Sequence, residues 1–327
     1  MRGGQGVGAG WIEEKRRENG LFSQLADRDG MEYSLGGDGF RPTINSYMYA
    51  DTAALAKITA LAGDDALSAA FAAEAGEYKR LVQHALWNPA DGFFEVLREG
   101  EGQPAGVRDL AGYIPWVFRL PDEKYGTAFR QLFDPDGFQA PFGPTTAERR
   151  SSRFMEKNSH DCLWNGPSWP YATTQTLWAA ANCLQDWGER FLTRHEYCAL
   201  LESYARSQYR NGHPWIAENL DPFTGRWIVD KPRSVHYNHS CFADLIITGY
   251  VGVQPEDTHL LTVHPLADDS TAYFALENLR YRGRRLDIYY DRTGGRYGMG
   301  KGLFVFVDGA FRQHRPDLGR LSLPLDE

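Results

Sequence analysis

Apolar residues recur at steps of three and four along most of the chain, and this period predicts helices. The first predicted helix covers residues 44–61, where an apolar stripe runs along one face and Gly63 follows as a stop signal. Thr193 and Glu196 form a T-x-x-E capping box, which predicts the start of a later helix at residue 194. The other helices are predicted over residues 64–86, 111–118, 123–133, 171–184, 194–209 and 240–250. This succession of paired helices suggests an α/α toroid with functional loops at one end.

The period changes to strict alternation after Val253, which predicts antiparallel strands between glycine turns. The clearest strands are predicted over residues 281–290 and 303–307, and the boundary lies near 253–262. The predicted organisation is therefore a lead-in segment, a catalytic toroid and a small β unit, over residues 1–20, 21–253 and 254–327.

The predicted helices fall short of the six pairs that a complete α/α toroid contains, so we expect an incomplete ring. An incomplete ring leaves apolar surface on its N-terminal side. We expect that surface to be covered by residues 10–25 or to drive self-association into a homo-oligomer.

The composition of the chain argues against two classes of binding partner, nucleic acids and membranes. The chain has 327 residues and a formal net charge of −8, which makes nucleic-acid phosphate a poor partner. No run approaches the roughly 20 apolar residues of a membrane span, and the glycine-rich start lacks the apolar core of a signal peptide. We therefore predict a soluble protein of the cytoplasm or periplasm with no nucleic-acid or membrane partner.

One carboxylate, Glu218, stands between the Trp215-Ile216 pair and a rigid turn. The turn is Asp-Pro-Phe-Thr-Gly at residues 221–225, in which Pro fixes φ and Gly accepts dihedral angles that other residues avoid. A carboxylate whose orientation matters for chemistry needs such support, whereas a surface glutamate does not. Two interpretations stay open from these residues alone, because Glu218 is either a catalytic group or a brace for the turn.

A long loop rich in Pro and Gly is predicted over residues 134–170, and its Phe and Trp content argues against disorder. Within it, Glu148 and Arg149 are either a solvated charge run or side chains that line a substrate site. The Trp164–Trp169 segment has a simple structural interpretation as a tight aromatic corner before a helix, since Pro167 and Pro170 favour a first turn.

A histidine-containing segment follows the Glu218 turn. His236, Tyr237 and His239 are predicted to line a pocket or to hold the Glu218 loop. His236 and His239 with Cys241 lack the further ligands of a metal site, so neither a metal nor a cofactor is predicted.

Three stretches carry a resemblance to known enzymes: DGMEYSLGGDGFRPTINSYMYAD at 29–51, HDCLWNGPSWPYATTQTLW at 160–178, and WIAENLDPFTG at 215–225. Together they resemble the mannosylglycerate-hydrolase-like and family 63 glycoside hydrolases. The resemblance implies an (α/α)6-type toroid with a C-terminal β-sandwich unit. It also implies an inverting exo-glycosidase that hydrolyses α-glycosidic bonds, with a carbohydrate as its substrate.

Carried over by position, the resemblance makes Glu218 the general base and places Glu32 where the general acid of these enzymes stands. Here G-M-E replaces the G-L-D of the family pattern, so Asp29, Asp38 and Asp161 remain rival acids. Inversion requires the two carboxyl groups to lie roughly 6.5–9.5 Å apart, which leaves room for a water molecule.

The resemblance also implies a sugar pocket walled by Trp164 and Trp169, with Asn165 for a hydroxyl group. Trp215 and Asp161 complete the predicted binding residues. Two alternatives remain: a carbohydrate-binding fragment that does not cleave, and a disaccharide phosphorylase on a similar toroid. A carboxylate at position 218 argues against the phosphorylase, because it would repel the incoming phosphate.

Overall fold

The computed structural model describes residues 15–157, 160–237, 241–256 and 258–325. They divide into two units. The helical unit comprises residues 15–182 and 203–237, and the sheet unit comprises residues 183–202 with the described residues after 240. The predicted boundary lay near 253–262, whereas the helical segment at 242–250 belongs to the sheet unit because its apolar side chains pack on the core of that unit.

The helices agree with the apolar pattern. The α-helices are α1 (Pro42–Leu61), α2 (Asp65–Leu81), α3 (Ile114–Val117), α4 (Pro170–Trp187), α5 (Arg194–Ser207) and α6 (Phe242–Asp244). Turns of 3₁₀ helix cover Ala26–Asp29, Leu110–Tyr113, Glu123–Leu132 and Pro232–Ser234. Turns of π-helix extend α2 over Val82–Leu86 and α6 over Leu245–Tyr250.

Local chemistry fixes where these helices begin. Pro42 occupies the first turn of α1, where its missing N–H costs no hydrogen bond. Asp64 caps α2 by accepting the N–H of Leu67 at 3.0 Å. The capping box at α5 is present as predicted, since Glu196 Oε2 accepts the N–H of Thr193 at 2.7 Å and Thr193 Oγ1 accepts the N–H of Glu196 at 3.1 Å.

Short antiparallel hairpins stiffen the helical unit. They pair β1 (Ser23–Gln24) with β2 (Gly39–Phe40), β3 (Trp87–Asn88) with β4 (Phe93–Phe94), and β5 (Tyr209–Arg210) with β6 (His213–Pro214). The first hairpin closes the loop that carries Glu32, and the third stands immediately before the Glu218 segment.

The sheet unit contains two antiparallel sheets that share one hydrophobic core. Its strands are β7 (Val253–Gln254), β8 (Leu260–Val263), β9 (Tyr273–Tyr281), β10 (Arg284–Asp291), β11 (Gly302–Val307), β12 (Ala310–Arg315) and β13 (Leu321–Pro324). One sheet has the order β12-β11-β10-β9 and the other β13-β8-β7. Leu261 and Val263 from one sheet and Leu286 and Val305 from the other are fully buried in that core.

The single strand predicted over residues 281–290 is wrong. Arg282 and Gly283 both have positive φ, at 49° and 77°, and they form a turn that ends β9 and begins β10. Two successive residues with positive φ are the signature of a tight hairpin turn whose twist matches that of the strands.

No helix in the described part of the chain is long and apolar enough to cross a membrane.

Candidate active site

Glu218 is a buried carboxylate held by two donors. Its side chain is only 3% exposed, Oε1 accepts a hydrogen bond from Arg233 Nη1 at 2.8 Å, and Oε2 accepts one from Ser234 Oγ at 2.8 Å. Ser234 is buried as well, while Arg233 remains half exposed. The pair of donors, one on each oxygen, fixes the plane of the carboxylate.

Hydrogen bonds fix the backbone that follows Glu218. Leu220 exchanges two backbone hydrogen bonds with Ser168, at 2.9 and 3.0 Å, which ties this segment to the 160–170 loop. The turn that follows is closed by Asp221 Oδ1, which accepts the N–H groups of Phe223 and Thr224 at 2.9 and 3.0 Å. The DPFTG motif is therefore a support for the segment that carries Glu218.

Glu32 reaches the same region from the loop between β1 and β2. Its backbone carbonyl accepts the N–H of Trp164 at 3.0 Å, and its side chain is half-buried. The Glu32 carboxyl forms no hydrogen bond or ion pair with any described residue. The neighbouring Tyr33 has φ 62°, a conformation that bulky residues rarely adopt and that concentrates at functional sites.

Cys162 lies against the Glu218 carboxylate. Its Sγ lies 3.8 Å from Glu218 Oε1 and 3.9 Å from Arg233 Nη2. Burial raises the pKa of the Cys162 thiol, and the negative charges of Glu218 and Glu32 raise it further, although a hydrogen bond from Arg233 opposes them. The backbone carbonyl of Glu32 accepts the N–H of Trp164, two residues after Cys162, so the 162–164 segment contacts both glutamates.

The rival acids are occupied elsewhere. Asp29 Oδ2 is bound at 2.8 Å by the guanidinium of Arg41, which is completely buried. Asp38 Oδ1 accepts the N–H of Ala26 at 2.7 Å, and Asp161 forms an ion pair with Lys231. Each of the three aspartates is thus engaged by another residue, whereas the Glu32 carboxyl is engaged by none of the described residues.

The two tryptophans predicted to wall a sugar pocket pack against each other. Trp164 and Trp169 are stacked with centroids 4.5 Å apart and an interplanar angle of 15°, and Trp169 Nε1 donates to Leu163 O at 2.9 Å. Both rings are buried. Trp164 Nε1 and Asn165 Oδ1 are buried polar atoms with no hydrogen-bond partner among the described residues.

The segment after the turn supports Glu218 from a second side. His236 donates its backbone N–H to Ile216 O at 2.9 Å and has φ 59°. Its ring lies 5.7 Å from that of Trp215, and the Arg210 guanidinium lies 5.0 Å from the Trp215 ring. Tyr237 is exposed. His239 lies outside the described residues.

Glu148 and Arg149 have different surroundings. Glu148 is buried, and Oε2 pairs with Arg108 at 2.6 Å and with Arg150 at 2.7 Å. Its oxygens are therefore engaged inside the protein, which leaves no free oxygen to line a substrate site as the sequence had suggested. The exposed Arg149 lies over the ring of Phe223 at 4.8 Å and braces the turn after Glu218.

Three residues of the site were not predicted from the sequence: Cys162, Arg233 and Ser234. They lie 56, 15 and 16 residues from Glu218, so no helical or strand spacing connects them with it. A buried carboxylate requires hydrogen-bond donors. The polar Lys-Pro-Arg-Ser run at 231–234 could have been proposed from the sequence as the source of those donors.

The described residues contain no group of three or more His, Cys, Asp or Glu side chains placed to hold a metal ion.

Residues 9–240 match the family model described as "Mannosylglycerate hydrolase MGH1-like glycoside hydrolase domain".

Solved structures show a related fold. A structure named "Sialidase" is 41% identical, with a TM-score of 0.94 over 97% of this chain and 30% of its own. The chain thus spans less than a third of the length of that relative.

Two weaker likenesses are to a GH63 mannosylglycerate hydrolase from Thermus thermophilus and to the neutral trehalase Nth1 from Saccharomyces cerevisiae. The first is 19% identical, with a TM-score of 0.46 over 58% of this chain and 44% of the other. The second is 15% identical, with a TM-score of 0.44 over 57% of this chain and 35% of the other. The chain belongs to the family of mannosylglycerate hydrolase MGH1-like glycoside hydrolase domains.

Proposed function

We propose that this chain carries the active site of an inverting exo-glycosidase, which hydrolyses an α-glycosidic bond in a small glycoside or at an oligosaccharide end. Glu218 is the general base and Glu32 the general acid. The observation that carries the proposal is that the 162–164 segment contacts both acids, since Cys162 Sγ lies 3.8 Å from Glu218 Oε1 and Trp164 N–H donates to the backbone carbonyl of Glu32 at 3.0 Å.

The surroundings of Glu218 suit a base. Oε1 accepts from Arg233 and from the Cys162 thiol, whereas Oε2 accepts only from Ser234, so Oε2 keeps a second lone pair with which to accept a proton from water. The base removes that proton as the water attacks the anomeric carbon. Fixed orientation favours this step, because the attacking water must approach along one direction.

The surroundings of Glu32 suit an acid. General acid catalysis transfers a proton to the glycosidic oxygen as the bond breaks, and only a protonated carboxyl can supply it. Since no described cation pairs with the Glu32 carboxyl, neither its protonation nor its movement toward a substrate breaks an ion pair.

Unsatisfied polar atoms nearby suit a carbohydrate. The indole N–H of Trp164 can donate to a sugar hydroxyl, and Asn165 Oδ1 can accept from one. The match to a glycoside hydrolase family agrees with the reaction class. The hairpin of α1 and α2 and the two sheets of the sheet unit are in keeping with an α/α toroid and a β-sandwich, and both assignments form part of the proposal.

The test is the substitution Glu218→Gln in the full chain, with activity on aryl α-glycosides and natural disaccharides measured beside the melting temperature. Gln can still accept from Arg233, and the Ser234 hydroxyl can reverse to accept from the new amide, so the fold should change little. Loss of a general base is typically worth ~10²–10⁴-fold, and we expect kcat to fall by about that factor.

Glu77→Gln is the matched control, because Glu77 lies on α2 with its side chain exposed beside Arg80. It should leave kcat unchanged. Normal turnover by Glu218→Gln with a lowered melting temperature would show that Glu218 braces the turn and is not the base. Sugar binding without turnover in the unsubstituted chain would favour a non-catalytic carbohydrate-binding fragment.

A further inference from the structure

A polar cavity of about 370 Å³ opens on the same loop as Glu32 but beyond it along the chain. Its walls come from residues 23–25, from residues 34–39, from the stretch around Arg98 and from Arg153. Regular backbone pairing builds it: β1 pairs with β2, and Phe40 exchanges backbone hydrogen bonds with Leu97 at 2.9 and 3.1 Å. The cavity is therefore an ordered part of the helical unit.

One wall of this cavity contains an unsatisfied acceptor. Gln24 is 6% exposed, and its Oε1 is buried without a hydrogen-bond partner among the described residues. A buried amide oxygen in this state is costly, and native structures usually satisfy it with protein, water or ligand. A ligand hydroxyl that donated to Gln24 Oε1 would remove the cost.

The lining of the cavity contains charged side chains of both signs, two arginines and three carboxylates. Arg98, Arg153, Asp38, Glu99 and Glu101 are among the lining residues, and Glu99 is also paired with Arg17 outside the lining. Arg98 Nη1 lies 3.5 Å from Glu101 Oε2. Because donors and acceptors occur together without an excess of positive charge, this lining favours a neutral polyhydroxy compound over an anion.

The volume of the cavity and the open backbone at Gly37 also favour a small neutral ligand. The volume lies near the lower end of the roughly 300–1,000 Å³ of ligand pockets, which suits a single small ring. Gly37 has φ 70°, and no atom lies within 4 Å of where its Cβ would be, so the backbone is open to close approach at this point.

We propose that this cavity is a non-catalytic binding site for one neutral sugar ring of hexose size. Neither Glu32 nor Glu218 is among its lining residues, so the cavity contains neither proposed catalytic group. The proposal does not depend on hydrolysis.

The test uses the full chain labelled with ¹⁵N-glycine and titrated with D-glucose, D-mannose and D-galactose. The amide signals of Gly36, Gly37 and Gly39 report on the cavity, and that of Gly166 reports on the Trp164–Trp169 wall. At least one of these sugars should shift the three cavity signals in a saturable way.

Two variants test whether the sugar binds at this cavity. Gln24→Met keeps the length of the side chain and removes the acceptor, so binding should weaken at least tenfold while the melting temperature holds or rises. Gly37→Asn retains the left-handed conformation that Asn tolerates and places a side chain in the open space, so it should abolish binding. Gly63→Asn is the control, since Gly63 also has positive φ with nothing near its Cβ position and lies beyond the end of α1.

The outcomes are distinct. Shifts at the cavity glycines that persist in Glu218→Gln, weaken in Gln24→Met and survive in Gly63→Asn support the site. Unchanged cavity signals with all three sugars would overturn it. Binding by Gln24→Met and Gly37→Asn with the same affinity as the parent chain would overturn it as well. Either result stands apart from the proposed hydrolysis, because Gly166 and turnover report on that site alone.

Discussion

At the scale of single residues, Glu218 and Glu32 differ in what surrounds their carboxyl groups, and the roles proposed for them are based on that difference. Glu218 is buried and held by Arg233 and Ser234. Glu32 is half-buried and has no described partner. A base must be aimed at water, whereas an acid must reach the leaving oxygen and carry a proton there.

This assignment predicts how Glu32→Gln behaves with different leaving groups. On an ordinary glycoside the variant should lose ~10²–10⁴-fold in kcat, because no proton reaches the departing oxygen. On the matching glycosyl fluoride the loss should be far smaller, because fluoride departs without a general acid. Rates on both substrates, for Glu32→Gln and Glu218→Gln, provide the measurement, and Glu218→Gln should fail on both.

Asp29→Asn and Asp161→Asn are the comparison variants for the rival acids. If either of them, rather than Glu32→Gln, spared the fluoride and lost the ordinary glycoside, the proton donor would be that aspartate.

At this scale, a site residue could be predicted from the sequence only where the residues that support it lie beside it in the chain. Glu218 could be singled out because its turn lies beside it in the chain. Arg233 and Cys162 could not, since they meet Glu218 only through tertiary folding. Glu148 misled the prediction because its partners, Arg108 and Arg150, turn an exposed-looking charge run into buried ion pairs.

At the scale of elements, the β3–β4 hairpin brings together two carboxyl groups. Burial raises the pKa of Glu95 to about 8, and the hydrogen bond and charge of Asp91 add to the effect. Gly106 N–H donates to Glu95 Oε2 at 2.9 Å. The folded chain therefore holds a proton on this pair well above the ordinary range of a carboxyl group.

The sign of the pH dependence follows from that pKa. Between the ordinary pKa of 4.5 and about 8, the folded state binds a proton that the unfolded state has lost, so stability from this group declines as pH rises. Glu95→Gln keeps a donor toward Asp91 at every pH. Each pKa unit is worth about 1.4 kcal/mol, so the variant should gain at least about 1 kcal/mol over the parent chain at pH 8 and nothing at pH 4.

Urea unfolding at the two pH values measures this effect, with Glu101→Gln as an exposed control. A parent chain as stable at pH 8 as at pH 5, or a Glu95→Gln variant that shows no relative gain, would contradict the shared proton.

The elements themselves were predictable where periodicity was long. α1, α2, α4 and α5 have the apolar period or the caps that the sequence shows, and their bounds agree within a few residues. The β9–β10 turn was missed because Arg282 and Gly283 lack the Asn-Gly or Asp-Gly pair by which such turns are usually recognised. The register of the sheets depends on contacts between distant strands, which alternation alone does not determine.

At the scale of the whole molecule, the family assignment and the geometry of the candidate site both agree with hydrolysis of a glycosidic bond. The chain belongs to a glycoside hydrolase domain family, and its 162–164 segment contacts both candidate acids beside unsatisfied polar atoms. The central claim is that water attacks directly, with Glu218 as base, and that no covalent sugar–protein intermediate forms.

Anomer-resolved NMR of the first product tests that claim most directly. The full chain is mixed with an α-glycoside that it cleaves, and the anomeric proton of the released sugar is followed before mutarotation equilibrates it. Direct attack by water on the face opposite the leaving group predicts that the β-anomer appears first. Initial release of the α-anomer would mean retention of configuration and would contradict the roles assigned to Glu218 and Glu32.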